Sequence, residues 1–367
     1  MRVLIAGGGT GGHLFPGIAI AEALREMDER AAIVFVGTEH GIEARVVPRE
    51  GYDIKFIKAE GIAGKPLFKK LKAICTMLCS LRDAFSILRS VRPDIVIGVG
   101  GYASVSVVLA AYLKKIPCMI MEQNSVPGAA NRYLARVSDA ICVTYQESMQ
   151  FFPENKVYLT GNPVRKMIAR HGEGISAESL GLDQERFTVF VFGGSLGARS
   201  INKAVLDSLN YLLDIRQNIQ FLHQTGQSDA EKVGEAYRRL DFRASVVSFI
   251  YNMADAYAAA DIVVCRAGAT TLAELTLIGK PAILVPYPFA ASDHQTHNAM
   301  KLADMGAARV IIERNLSGEL LSSSIRDLYL DVKKRKEMEK SARAFGRHDA
   351  ADRIIEIAKS ISKKGRR

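Results

Sequence analysis

A short apolar strand that breaks directly into glycine constrains this chain more than any other feature, and the pattern opens both halves. The run Arg2–Ala6 passes without a spacer into Gly7-Gly8-Gly9-Thr10-Gly11-Gly12-His13. Thr188–Phe192 leads in the same way into Gly193-Gly194-Ser195-Leu196-Gly197-Ala198-Arg199. A third turn, Gly98-Val99-Gly100-Gly101-Tyr102-Ala103-Ser104, closes the run Asp94–Val99. Glycine lets a backbone turn tightly and approach a ligand closely, while N–H groups at the following helix start attract phosphate. Two phosphate-type loops, one opening each half, predict two similar domains facing a shared cleft.

Between these turns, β-branched runs alternate with helical periodicity. Strands are predicted at Arg2–Ala6, Ala32–Val36, Ile54–Ile57, Asp94–Val99, Cys118–Met121 and Ala140–Val143, with helices at Ile18–Met27, Leu67–Arg89 and Val105–Leu113. The second half repeats the theme at Thr188–Phe192, Ile219–His223, Ser245–Phe249, Asp261–Val264, Ala282–Val285 and Arg309–Ile312. Near-continuous apolar strands joined by helices imply parallel sheets covered on both faces, an α/β doubly wound class. At 367 residues the chain exceeds one comfortable core, and the boundary falls at Thr160–Arg165.

A composition of 48% hydrophobic and 24% charged residues excludes disorder and collagen. The formal charge of +10 asks for an anionic partner: nucleic acid, a phosphorylated metabolite or an acidic membrane surface. No recognition helix, zinc module or RNA-binding aromatic motif supports nucleic acid. Cys75, Cys79, Cys118, Cys142 and Cys265 form no CxxC pair and read as reduced core thiols. The uncharged segment Ile95–Leu113 approaches bilayer-spanning length, but its glycines and serines suit a buried strand, a loop and an apolar helix better.

The first loop also fits G-x-G-x-x-G at Gly7, Gly9 and Gly12, which raises an NAD(P)-dependent oxidoreductase as an alternative. Such an enzyme needs an acid at the end of strand two for the ribose. Here Val36 is followed by Gly37-Thr38, and Glu39 arrives late.

The motifs GGGTGGHLFPG (Gly7–Gly17), GGYAS (Gly100–Ser104), EQN (Glu122–Asn124), GNPVR (Gly161–Arg165), GGSLGA (Gly193–Ala198), CRAGA (Cys265–Ala269) and DHQTHNA (Asp293–Ala299) occur together in this order. The series resembles the family of peptidoglycan N-acetylglucosaminyltransferases known as MurG, which convert lipid I into lipid II for cell-wall growth and division. The resemblance implies a GT-B fold: residues 1–163 an acceptor and membrane-facing domain, 164–345 a UDP-GlcNAc-binding domain, and 346–367 a C-terminal helix packing back on the first. Another GT-B enzyme acting on a different glycolipid is the nearer alternative.

By resemblance, Gly193–Ala198 would cradle the UDP-GlcNAc diphosphate, with Ser195 donating a hydroxyl bond and Arg165 adding positive charge. Helix dipoles and a cation stabilise a departing diphosphate without a metal, and no Asp-x-Asp is present, so no metal or other cofactor is expected. Glu274 would hold the ribose at the helix start formed by Ala269, Thr270, Thr271, Leu272 and Ala273, and the Ile250 backbone would receive the uracil. Gln295 and Asn124 would read sugar hydroxyls, and Thr10, Gly11 and Gly12 would line the sugar and acceptor side. Gly9, Gly100, Gly101 and Tyr102 would take the acceptor diphosphate. His294 and His297 could suggest a metal pair, but no third ligand is evident.

The implied reaction is inverting transfer to the 4-hydroxyl of MurNAc in lipid I, which needs a base. His13 titrates in the right range; its rival roles are holding the acceptor or its diphosphate, or merely starting a helix. Glu122 is the second candidate. The helix Leu67–Arg89 places Leu71, Ile74, Cys75, Leu78, Leu81 and Phe85 on one face, with Lys69 and Lys72 largely opposite and Lys70 and Arg82 at the margins. That suits an anionic membrane surface, although packing on the sheet explains the same periodicity. The implied location is peripheral, on the cytoplasmic face of the plasma membrane, beside other cell-wall synthesis proteins.

Overall fold

The computed structural model describes residues 1–59, 67–170, 177–194 and 197–364. Contacts divide the chain into two compact units: Met1–Arg165 with His348–Arg367, and Lys166–Arg347.

The first unit runs β1 (Arg2–Gly7), α1 (Gly11–Met27), β2 (Ala32–Gly37), α2 (Glu43–Arg49), β3 (Asp53–Phe56), α3 (Leu67–Val91), β4 (Ile95–Gly100), α4 (Tyr102–Leu113), β5 (Cys118–Glu122), α5 (Ala129–Leu134), β6 (Ala140–Val143) and β7 (Val157–Leu159). Its sheet has the order β3-β2-β1-β4-β5-β6-β7, with every pairing parallel. The unit ends far along the chain, after the second unit has been completed.

That second unit runs α6 (Lys166–Ala169), β8 (Phe187–Phe192), α7 (Arg199–Leu209), β9 (Ile219–Gln224), α8 (Ala230–Arg239), β10 (Ala244–Val247), α9 (Met253–Ala259), β11 (Ile262–Cys265), α10 (Ala269–Ile278), β12 (Ala282–Leu284), α11 (His294–Asp304), β13 (Ala308–Val310), α12 (Gly318–Leu330) and α13 (Val332–Phe345). The order β10-β9-β8-β11-β12-β13 is again parallel throughout. The final helix α14 (Ala350–Lys364) returns to the first unit and lies against α1.

Both sheets are doubly wound, and their central strands are buried along their length, as in Val3–Ala6 and Val189–Val191. The strand order reverses between β1 and β4 in one unit and between β8 and β11 in the other. Crevices outside the carboxyl ends of strands at such reversals are where open α/β sheets bind ligands. The glycine turn after Gly7 follows β1, the one opening at Gly193 follows β8, and Gly100-Gly101 closes β4.

Three details depart from the sequence expectation. Helix α1 starts at Gly11, not near Ile18, and carries Pro16 inside it. Strand β7 was not foreseen, because it has three residues and Tyr158 faces outward. Cys118, Cys142 and Cys265 are buried thiols, but Cys79 is exposed, so it is not a core residue. Burial pushes the Cys118 and Cys142 thiols up to about 12, which keeps both protonated and inert. Cys75 lies outside the described side chains.

Helix α3 packs on α4 and into the core of the first unit through Ser80, Ala84 and Leu88, four residues apart, with the Ser80 hydroxyl donating to Ser106 of α4 at 2.8 Å. Leu81 and Phe85 flank that line, while Leu78 is 59% exposed. Over its described side chains the helix thus buries one line of residues inward and leaves Leu78 of the expected apolar face exposed. Leu71, Ile74, Lys69, Lys70 and Lys72 fall outside the described side chains. Among the described residues no helix is long and apolar enough to cross a membrane.

Candidate active site

The first cluster is built at the β1–β4 reversal. After β1 the backbone turns through Gly7–Thr10, and α1 begins with Gly11, Gly12 and His13. The imidazole of His13, half-exposed, lies against the backbone of Gly100, where a methyl group would collide with Nδ1. Gly101 caps α4 with φ +80° and packs against the Gly8 carbonyl, while Ser104 Oγ donates to the Gly101 carbonyl at 2.8 Å. The two glycine turns thus close on each other around His13. Tyr102, 60% exposed, projects from the start of α4.

Glu43, the first residue of α2, was not singled out from the sequence, yet it holds this loop. Its carboxylate is 1% exposed and accepts from the Gly9 amide at 2.7 Å, the Thr38 amide at 2.8 Å and the Thr38 hydroxyl at 2.9 Å. The Gly9 amide, expected to bind acceptor diphosphate, is therefore already donating to a side chain of the same unit. In dinucleotide folds the acid after strand two serves a ribose; here it faces inward to the loop.

At the end of β5, Glu122 is 3% exposed and accepts from four donors: the Asn124 amide (3.0 Å) and Nδ2 (3.1 Å) on Oε1, the Gly128 amide (3.2 Å) and Asn131 Nδ2 (2.9 Å) on Oε2. A carboxylate has about four lone-pair positions, so this one is saturated by its own loop. The geometry suits an anchor for residues 123–131 better than a base that must take a substrate proton. Asn124, expected to read a sugar hydroxyl, gives Nδ2 to that anchor. Gln123, which was missed, is buried and donates to the Val99 carbonyl at 2.8 Å, tying the EQN turn to β4. Arg165, 2% exposed, stacks over Phe15 of α1 with 3.9 Å from its guanidinium carbon to the ring centroid.

The second cluster surrounds the β8–β11 reversal, where α7 and α10 begin beside the ends of β8 and β11. Their N-termini present amide donors to an anion. Gly194 and Gly197 take φ +103° and +78°, and a methyl at Gly197 would collide with the Thr225 carbonyl. Ser195 lies outside the described residues. Gln224, at the end of β9, is the missed residue that organises this side. Its Nε2 donates to the Gly194 carbonyl at 2.9 Å, and its Oε1 accepts from the Ile250 amide at 2.7 Å. Of the Ile250 backbone expected to meet uracil, the amide thus belongs to Gln224, and the carbonyl is the remaining polar group.

Ala269, Thr270 and Leu272 are buried in the first turn of α10, with Thr271 and Ala273 half-buried between them. Glu274, 5% exposed one turn later, accepts from the Tyr257 hydroxyl at 2.8 Å on one oxygen, which fixes its rotamer. Gln295, in the first turn of α11, accepts from the Tyr287 amide at 3.0 Å through Oε1. Ser292 and Asp293, immediately before that helix, both take left-handed backbone angles near φ +50°. Such consecutive strain in non-glycine residues collects at functional turns. Arg266, within the CRAGA motif but given no role from sequence, ties the ends of several elements together. It donates to the carbonyls of Val285 and Pro286 at 3.2 Å each and to Ser200 Oγ at 2.9 Å, and it pairs with Glu313. Among the described residues no group of three His, Cys, Asp or Glu side chains is placed to hold a metal, so His294 and His297 have no third ligand there.

Two doubly wound parallel sheets, each with a glycine loop at its point of reversal, fit the GT-B architecture, and family likeness makes the class a glycosyltransferase. The profile of the glycosyltransferase family 28 N-terminal domain matches residues 3–143, and that of the family 28 C-terminal domain matches residues 188–354. The UDP-N-acetylglucosamine–N-acetylmuramyl-(pentapeptide) pyrophosphoryl-undecaprenol N-acetylglucosamine transferase of Thermodesulfovibrio yellowstonii is 49% identical over 366 residues, covering 100% of both chains. Its counterpart from Myxococcus xanthus is 48% identical, covering 97% of this chain and 92% of its own. The crystal structure of Acinetobacter baumannii MurG superposes with a TM-score of 0.73 at 28% identity, covering 98% of this chain and 99% of that one. The chain belongs to the MurG family of peptidoglycan N-acetylglucosaminyltransferases.

Proposed function

We propose that this enzyme transfers GlcNAc from UDP-GlcNAc, with inversion, to the 4-hydroxyl of the MurNAc unit of lipid I, giving lipid II and UDP. The observation that carries the reading is full-length likeness at 49% identity to a transferase of that name, in a chain with a glycine loop at each sheet reversal. The hydroxyl oxygen attacks the anomeric carbon, the bond from that carbon to the diphosphate breaks, and the hydroxyl proton passes to His13. With Nδ1 packed against Gly100, the Nε2 edge is the one that receives it. The saturation of Glu122 supports this choice over the carboxylate.

On the donor side, the α7 start with Ser195 would hold the diphosphate and Glu274 the ribose. The Ile250 carbonyl would accept the uracil imide hydrogen, and Gln295 would read sugar hydroxyls. A charge that grows on the leaving diphosphate is stabilised by helix-terminal amides, so the reaction is proposed to need no metal. The acceptor is lipid-linked, which calls for peripheral attachment to the cytoplasmic face of the plasma membrane. Exposed Leu78, Tyr102, Leu113 and Tyr133 and the positive net charge support contact with anionic lipid.

The test is incubation with radiolabelled UDP-GlcNAc and a short-chain lipid I analogue, with EDTA present. A labelled β-linked disaccharide lipid and stoichiometric UDP are expected. Labelling of an unrelated glycolipid in preference to lipid I would move the chain to another GT-B activity, and loss of product on chelation would remove the metal-free proposal.

A further inference from the structure

We propose that Glu43 is a positioning residue for the acceptor: its carboxylate is the built-in anion of the first glycine loop, and it makes that loop a holder of sugar, not of phosphate. The inference rests on the transferase reading above and extends it to a residue that reading does not use.

The argument begins with space. Methyl groups added at Gly8, Gly37 or Gly41 would each collide with the Glu43 side chain, so three glycines, from the β1–α1 loop, the end of β2 and the β2–α2 loop, make room for one carboxylate. The buried charge is then satisfied by three donors, two backbone amides and a hydroxyl, none of them from a basic side chain. This is the arrangement by which a glycine-rich turn receives a phosphate oxygen. Here the anion is supplied by the chain itself.

Two consequences follow. The loop is fixed at Gly9, one residue before Thr10, so the geometry of Thr10–His13 at the start of α1 is set through Glu43. A fixed negative charge with the Gly9 amide already engaged also repels a second anion there. The pyrophosphate of a lipid-linked acceptor is therefore excluded from Gly9, and the Gly100–Tyr102 turn is left as the phosphate-facing part of this unit.

The test compares Glu43→Gln, Glu43→Ala and the unaltered enzyme, each assayed for both substrates. Gln keeps the volume of Glu but must turn an NH2 group toward an N–H donor, so it should raise acceptor KM by about tenfold. Donor KM should stay within about twofold, since UDP-GlcNAc is held by the second unit. Sodium formate should recover part of the activity of Glu43→Ala by entering the emptied carboxylate position, and should leave the unaltered enzyme unchanged. Unchanged circular dichroism and a thermal midpoint close to that of the unaltered enzyme check that the fold is intact; if Glu43→Ala fails that check, Glu43→Gln alone decides. Unchanged acceptor KM in Glu43→Gln, or donor and acceptor constants damaged alike, would overturn the inference while leaving the transferase reading standing. Absence of GlcNAc transfer by the unaltered enzyme would instead overturn that reading.

Discussion

The glycine loops that open the two units are alike in sequence and differ in what grips them. In the first, a carboxylate from α2 takes the Gly9 amide; in the second, the neutral amide of Gln224 takes the Gly194 carbonyl. A carboxylate spends one of the loop's donors and leaves a negative charge beneath it. A carboxamide that bonds a carbonyl spends no loop N–H and adds no charge. The fitness of a glycine turn for phosphate is therefore decided by side chains that arrive from neighbouring elements. Counting glycines cannot reveal it. The difference suits a division of labour in which the second unit binds a diphosphate and the first orients a hydroxyl.

The sharpest test of that division is at His13. If His13 is the base proposed above, replacement by Ala should lower kcat by about 10²–10⁴-fold while donor KM stays nearly constant. Steady-state kinetics with UDP-GlcNAc varied at saturating acceptor measures both. A kcat within about threefold of the unaltered enzyme would remove the base role and leave His13 as a binding or structural residue.

Backbone space separates the loops next. Gly9 has φ +83° with nothing within 4 Å of an added methyl, whereas Gly197 has φ +78° and faces the Thr225 carbonyl. Gly9→Ala should therefore cost only the left-handed backbone penalty, about 1–2 kcal/mol. Gly197→Ala adds a backbone collision and should cost about 3 kcal/mol or more. Urea unfolding of the two variants compares them; equal costs would mean that the second loop can shift away from Thr225 freely.

A third difference lies behind the loops. The second is backed by His223, fully buried, with Nδ1 3.1 Å from the Tyr237 hydroxyl and Nε2 3.1 Å from Asn202 Oδ1. Asn202 Nδ2 in turn donates to the Thr225 carbonyl at 3.0 Å and to Asp229 at 2.8 Å, so its oxygen faces the ring and assigns the imidazole proton to Nε2. Burial pushes His223 down to about 3, and the unfolded chain therefore binds the extra proton between about pH 6.5 and pH 3. Stability should fall as pH drops through that window, by about 2–3 kcal/mol between pH 7 and pH 4.5, and should not change above it on this account. His223→Gln should flatten that part of the urea-midpoint profile. A profile equally steep in the variant would assign the acid sensitivity elsewhere.

What was legible in the sequence and what was not divides along a physical line. Central strands such as Thr188–Phe192 show themselves because burial on both faces demands an unbroken apolar run. The glycine turns show themselves because glycine adopts positive φ, as at Gly9, Gly101 and Gly197, far more readily than residues with a side chain. Helix α1 hid its first turns because Gly11, Gly12 and Pro16 read as breakers, and β7 hid because three residues carry no period. In the candidate site, His13, Glu274 and Gln295 were named from motifs, and their surroundings were not. Glu43 reaches Gly9 across 34 positions and Gln224 reaches Gly194 across 30. A hydrogen bond over such a separation exists only once the sheet order has brought two loops together, and no local pattern encodes it.

The smallest effect tests the second loop's grip directly. Gln224→Ala strands the buried Ile250 amide and releases the Gly194 carbonyl, which retains a bond from the Gly197 amide at 3.1 Å. One loop carbonyl keeps a partner and one amide does not, so the loss should be near that of a single buried hydrogen bond. That predicts a rise of about tenfold in donor KM, with kcat and acceptor KM little changed. Gln224→Glu should be worse than Ala, because its carboxylate opposes the Gly194 carbonyl and adds, beneath the second loop, the same charge that Glu43 places under the first. If Glu at this position binds UDP as well as Gln does, the sign of the buried partner is not what distinguishes the two loops.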